Sequence, residues 1–212
     1  MSRALAVGLA LAIAAGCGST ESASPGTTAT STATSTAASQ ALPVGKSDLT
    51  VAAGVHEAPE GFAPALSFEL EQTATSVHRA SDAFDLALSA ASGDAPLAIL
   101  VLATPAESDA IAAAQAIKDA ATTAGAAVTD AGAIEVLGRP ATVIEVRGGT
   151  GQVFASRDHT IALDADSAPF ERFLVVDTEA GPLVIAALVP DGAPADVALA
   201  NAGVVVRSLS QL

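Results

Sequence analysis

The chain of 212 residues has no tryptophan, no tyrosine, six phenylalanines, a single cysteine, and only nine Lys or Arg against 23 Asp or Glu. Each shortage closes off a class of protein. Without Trp or Tyr there is little aromatic surface on which bases or sugars stack. One cysteine excludes a disulfide framework within the chain and any zinc site built on a Cys-x-x-Cys pair. A formal net charge of −14 repels phosphate backbones, and no basic cluster offsets it, so no nucleic-acid partner is expected. Catalytic signatures are missing as well: there is no Gly-x-Ser-x-Gly elbow, no Ser-x-x-Lys pair and no Gly-Lys-Ser/Thr phosphate loop. The expectation is a protein without enzymatic activity and without a cofactor.

What is present begins with an address. Arg3 is followed by an uncharged stretch from Ala4 to Gly16. A membrane-spanning helix needs about 20 apolar residues, so this run is too short to cross and has the layout of a secretory h-region. It leads into Ala14-Ala15-Gly16-Cys17. Small residues directly before a cysteine resemble the lipobox of bacterial prolipoproteins. That resemblance implies cleavage after Gly16, a diacylglycerol thioether on Cys17, and a mature chain held at the outer face of the bacterial cell membrane. With at least two acyl chains the anchor is stable, because each buried CH₂ adds about 0.8 kcal/mol. Loss of Arg3 with the signal leaves eight basic residues against 23 acids. Such acidity keeps a displayed domain soluble and off anionic headgroups.

Residues 18–41 include 13 Ser or Thr and one charge, Glu21. A segment with so little apolar surface cannot offset the entropy of ordering it, and it reads as a tether with a span of roughly 27 Å as a coil. The segment organisation is therefore 1–16 signal peptide, 17–41 lipidated cysteine plus disordered tether, and 42–212 a single domain.

The last segment is large enough for a real core, and that core must be built from Ala, Val, Ile and Leu. Thr104-Pro105-Ala106-Glu107 has the form of a capping box, and alanines at helical spacing with Ile117 predict a helix from Pro105 to Ala124, ended by Gly125. A second helix is predicted from Pro194 to about Leu209, with Gly203 weakening it by about 1 kcal/mol relative to alanine. Leu97–Leu102, Phe170–Val176 and Leu183–Val189 are apolar or nearly so on both alternating faces, as in strands covered on both sides. Thr142–Arg147 has one wetter face, carrying Glu145 and Arg147. Further strands are predicted at Thr50–Glu57, Leu66–Glu71, Ala83–Leu88, Ile134–Leu137, Gln152–Ser156 and Thr160–Leu163. Short connections at 138–140, 148–151 and 179–181 predict antiparallel hairpins. The fold class is α+β: a largely antiparallel sheet with a long mid-chain helix and a C-terminal helix, in α/β/α layers.

The segment Phe62-Ala63-Pro64-Ala65-Leu66-Ser67-Phe68-Glu69-Leu70, and the order of elements after it, resemble small actinobacterial envelope lipoproteins similar to the PsbP-like fold, the family of the extrinsic photosystem subunit. The resemblance implies binding and assembly roles and hands over no catalytic residues.

Few polar clusters remain. His56-Glu57 with Glu60 lacks the second histidine of a metal helix and is interrupted by Pro59, so it reads as a strand end. Asp158, His159, Asp164 and Asp166 are the best metal candidates but lack the glycine and third oxygen of a calcium loop, and turn residues are the simpler reading. His159, Asp158, Asp164 and Arg157 are the first residues to replace by alanine in testing for a catalytic site assembled from scattered residues. Gly148-Gly149-Thr150-Gly151 reads as a turn, and His78-Arg79 as part of a solvated strand. Two functions stay open: an interaction or assembly module with an envelope protein partner, marked by an apolar surface patch, or a carrier of a lipid or other hydrophobic small molecule, marked by a pocket of about 300–1,000 Å³. The address makes the first testable claim. Cys17→Ala should move the protein from the membrane fraction to the soluble one and remove the diacylglycerol mass from its N-terminal peptide; an unmodified wild-type Cys17 would refute the anchor.

Overall fold

The computed structural model describes residues 40–41, 50–71, 73–79, 83–89, 96–156, 160–163, 170–189 and 192–212. The expected signal peptide, Cys17 and nearly all of the expected tether lie outside them, as do Arg157, Asp158, His159, Asp164 and Asp166.

In chain order the elements are β1 (Gln40–Ala41), β2 (Gly54–Glu57), β3 (Leu66–Leu70), β4 (Ala74–Arg79), β5 (Ala83–Ser89), β6 (Pro96–Ala103), α1 (Ala110–Thr123), β7 (Ala127–Val136), β8 (Arg139–Arg147), β9 (Gly151–Ala155), β10 (Thr160–Leu163), β11 (Phe170–Thr178), β12 (Gly181–Val189), α2 (Ala195–Ser208) and β13 (Ser210–Gln211). Seven strands form one sheet in the order β4-β5-β6-β12-β11-β8-β7, with every neighbouring pair antiparallel. A four-stranded sheet, β1-β2-β3-β13, and the β9–β10 pair complete the fold. The α+β class with mostly antiparallel strands, a mid-chain helix and a C-terminal helix is what the hydrophobic patterning predicts.

The three strands with two apolar faces, β6, β12 and β11, are adjacent at the centre of the large sheet. Alternation then sends their side chains to opposite layers. Leu100, Leu102, Leu174, Val176, Leu183 and Ile185 pack with Ala198, Ala202, Val205 and Val206 of α2. Val101, Ala103, Phe173, Val175, Val184 and Ala186 pack with Ala113, Ala114, Ile117 and Ala121 of α1. Alanine faces on both helices let them lie close to the sheet. On the α2 side, Phe62, Phe68 and Phe84 fill the space under the small sheet, with Phe62 edge-on to Phe84 at 4.9 Å between centroids.

Several boundaries differ from the sequence reading. The mid-chain helix begins at Ala110, not Pro105. Asp109 is its N-cap, accepting from Ala112 N at 2.8 Å, while Asp177 at the end of β11 accepts from Ala110 N at 2.8 Å. A tertiary carboxylate thus satisfies a helix-start donor that the Thr104 capping box was expected to serve. Gly125, at φ 75°, does end the helix. The strand expected at Ile134–Leu137 starts at Ala127, because pairing with β8 continues through a bulge between Asp130 and Ala133. Ala74–Arg79 is a strand of its own beside β5. Gln40–Ala41 already pair with β2, just before the boundary drawn from composition.

The connection at 148–151 is not a hairpin. It leaves β8 for β9, which pairs only with β10, and Gly149 is pressed so closely on the α1 terminus that a Cβ would stand 2.7 Å from Ala126 N and 2.8 Å from Ala124 O. Glycine is needed there for close approach. The other two short connections are hairpins, β7–β8 and β11–β12. The first turns through Leu137 and Gly138 with φ of 56° and 69°, as a two-residue turn matching strand twist requires.

Glu171 is the outlier of the core. It stands on β11 opposite Val146 and Leu188, is only 3 % exposed, and its Oε2 has no hydrogen-bond partner. Burial raises its carboxyl from the ordinary 4.5 to about 7. A raised carboxyl means that the folded state holds the proton over a range where the unfolded chain has released it. Stability therefore declines as pH rises from 4.5 and levels off above about 7. Glu171→Gln should remove this slope in denaturant titrations, gaining up to about 3 kcal/mol near pH 8 and little near pH 4. Parallel pH profiles for the two proteins would contradict it.

Candidate binding groove

The sheet is wider than α2. The helix covers β6 and β12, reaches the inner side chains of β11 and leans on β3, while β8 and β7 lie beyond its main contacts. The result is a groove of about 620 Å³. Its floor is apolar: Leu100 from β6, Ile185 and Ala187 from β12, Leu174 from β11 and Val143 from β8. One wall is a flank of α2 carrying Asp196, Leu199, Ala200, Gly203 and Arg207, of which Asp196, Ala200, Gly203 and Arg207 follow at spacings of three or four residues that share one side of a helix. This flank adjoins the buried stripe of Ala198, Ala202, Val205 and Val206. The opposite wall is β7, where the bulge and Gly132 bring Ala131 to the groove beside Ile134 and Glu135. Lys118 of α1 donates to Asp130 at this bulge, and Asp130 accepts from Gly132 N at 3.3 Å.

One ion pair sits at the edge of the floor. Arg172 of β11 and Glu145 of β8 are register partners, and Nη2 and Nε of Arg172 donate to Glu145 Oε1 at 2.6 and 3.2 Å. Next along the same face, the Arg147 guanidinium lies 4.1 Å above the centre of the Phe170 ring, with Arg172 5.8 Å from it. The wetter face read from the sequence at Glu145 and Arg147 is thus the groove side of β8. Past Arg207 and Glu135 the groove continues into a shallower recess of about 350 Å³, bounded by Leu137, Gly138 and the β13 residues.

The lining of the main groove contains no Ser, Thr, Cys or His, and its polar groups are carboxylates and guanidinium ions. It can hold and orient an apolar or amphipathic molecule, but it offers no nucleophile beside a base. Among the described residues no group of three or more His, Cys, Asp or Glu is placed to hold a metal ion. His56, considered in the sequence as part of a metal pair, is buried on β2 and its Nε2 bonds the Ala52 carbonyl at 2.8 Å, with the Phe68 ring 6.0 Å away. Glu60 is exposed in the loop that follows. The four candidates Asp158, His159, Asp164 and Asp166 fall outside the described residues. Arg172, Arg207 and Gly203 were not singled out as site residues by pattern. The available signals were a charge on an otherwise apolar strand and a glycine inside a helix.

No protein-family model matches the sequence, and no curated protein matches it. Among solved structures the chain is similar to the crystal structure of LpqN, involved in cell envelope biogenesis of Mycobacterium tuberculosis, with a TM-score of 0.32 and 11 % identity over 78 % of this chain and 84 % of that one. A likeness of that extent transfers neither a site nor an activity.

The Glu145–Arg172 pair is half-buried and well aligned, so it should couple the two strands more than a surface pair does. A double-mutant cycle with Glu145→Gln and Arg172→Gln should give a coupling of about 1 kcal/mol that weakens in high salt. A coupling of zero at low salt would show the pair to be energetically idle.

Proposed function

We propose that this protein is a non-enzymatic binding module of the bacterial cell envelope, lipid-anchored through Cys17 and displayed on the 18–41 tether, and that its groove takes up a hydrophobic or amphipathic small molecule. The observation that carries the reading is the groove itself. Its volume of about 620 Å³ falls in the usual range for small-molecule sites, about 300–1,000 Å³. Its floor is aliphatic, and its wall is lowered by Ala200 and Gly203. An anchor at the membrane surface keeps such a module close to lipid-derived cargo. The Ala14-Ala15-Gly16-Cys17 pattern and the Ser/Thr-rich stretch support the address. The resemblance of the Phe62–Leu70 segment and the element order to PsbP-like lipoproteins would fit a binding rather than a catalytic role.

The second reading, an assembly module with an envelope protein partner, is favoured by β7. This ten-residue strand ends the large sheet and is exposed along most of its length, with Ile134 46 % exposed beside the groove. An edge of that kind accepts an added strand, although its bulge works against this.

Native mass spectrometry of the protein extracted gently from its own membranes separates the readings. The expected result is the lipidated chain plus a non-covalent mass of several hundred daltons that organic extraction removes. A protein partner in place of that mass would establish the assembly reading. A chain that leaves the membrane with neither would refute both.

A further inference from the structure

Arg207 is unlike the other cations of the domain. Lys118 pairs with Asp130, Arg139 with Glu179 and Arg172 with Glu145, while Arg147 rests on Phe170. Among the described side chains of Lys and Arg, Arg207 alone has neither an ion pair nor a ring beneath it. Arg207 is exposed to solvent, so its guanidinium is open to a ligand rather than held by a neighbouring carboxylate. Glu135 stands on the facing wall and lines the same stretch of groove, but no ion pair joins it to Arg207. Asp196, the acid on the helix's own flank, is eleven residues back, about 16 Å along the axis.

Gly203 belongs to the same feature. A glycine inside a helix costs about 1 kcal/mol relative to alanine, and Gly203 has no left-handed backbone to justify it. What it provides is room: a Cβ at this position would stand 3.1 Å from the Arg207 Nη1. The guanidinium folds back one turn along α2 over the glycine, on the flank that walls the groove. A cation in the last turn suits the helix dipole, but that explains neither the fold-back nor the glycine beneath it. The Glu145–Arg172 pair at the far edge of the floor is internally neutral, so Arg207 is the free positive group of the groove, with the carboxylates of Glu135 and Asp196 on its walls and an aliphatic floor between them.

We propose that Arg207 is the anion anchor of the groove and that the ligand is an amphipath with an anionic head, carboxylate or phosphate, and one aliphatic chain. The head binds the Arg207 guanidinium, and the chain lies between Leu199 and Ala200 on α2 and Ile134 on β7, above the edges of Val143 and Leu174. This rests on the groove reading above and adds the charge of the ligand to it.

The test uses the full chain carrying Cys17→Ser, so that no attached lipid competes, with calorimetric titration of dodecanoate, dodecyl phosphate, uncharged dodecyl maltoside and inorganic phosphate below micellar concentrations. Dodecanoate or dodecyl phosphate should bind more tightly than dodecyl maltoside, and which of the two is preferred identifies the anion. Arg207→Gln should weaken the anionic ligands roughly tenfold and leave dodecyl maltoside unchanged, the loss typical of one charge-assisted contact. Gly203→Leu should block all three amphipaths by filling the groove; leucine is the better helix former, so an unfolded helix would not be the cause. Equal binding of charged and uncharged amphipaths, unaltered by Arg207→Gln, overturns the anion anchor and leaves the groove reading standing. Inorganic phosphate binding as tightly as dodecyl phosphate removes the need for the chain and overturns the amphipath. No binding of any amphipath to the Cys17→Ser chain overturns both readings.

Discussion

The packing of β6, β12 and β11 is the constraint on which the rest of the molecule depends. These strands carry apolar side chains on both faces and lie side by side, so the sheet cannot be left open to water on either side. Burying such surface is worth roughly 25 cal/mol for each Å² removed from water. One helix is drawn to each face. The helices can approach closely because their inner stripes are alanine and valine with one isoleucine. A core almost without large aromatics becomes workable through this close approach, since small side chains fill space only when backbones are near each other.

The groove follows from the same economy. Two fourteen-residue helices cannot cover seven strands. On one face α1 is joined by the β9–β10 pair, whose Val153, Phe154, Ile161 and Leu163 extend that layer. On the other face α2 lies over β6 and β12 and reaches Leu174 and Val176 of β11, and a groove remains between the helix and β7 at the sheet edge. The chain meets this exposure with a cross-strand ion pair and an arginine over phenylalanine on that same face. Charged groups there keep the open edge from becoming an adhesive patch while leaving an aliphatic strip between themselves and the helix.

Legibility followed locality. The central strands were visible because two-faced apolar runs mean burial on both sides wherever they occur. Gly125 was visible as a helix end because a helix stop is a local backbone event. The start of α1 was misplaced because its decisive partner, Asp177, lies 67 residues away. The loop at 148–151 looked like a hairpin because glycine serves equally in a turn and at a tight crossing, and only the approach of Ala124–Ala126 distinguishes them. Glu145 was legible as a wet-side residue, but nothing local indicates that Arg172, 27 residues later, would stand opposite it.

The amino-acid order by itself determined the class of fold, because that depends on hydrophobic periods of two or 3.6 residues; the secretion and lipidation signals, the tether and the absence of a nucleic-acid partner are expectations drawn from short motifs and composition. Tertiary structure alone decided where the groove lies and which charges face it. Whether a strand face is covered depends on the width of the sheet against the width of the helix laid on it, a relation among segments distant in the chain. Arg207 in isolation is an ordinary residue of a last helical turn; it becomes a free cation on a groove wall only when Gly203 gives it room and the strands beside the helix supply the floor.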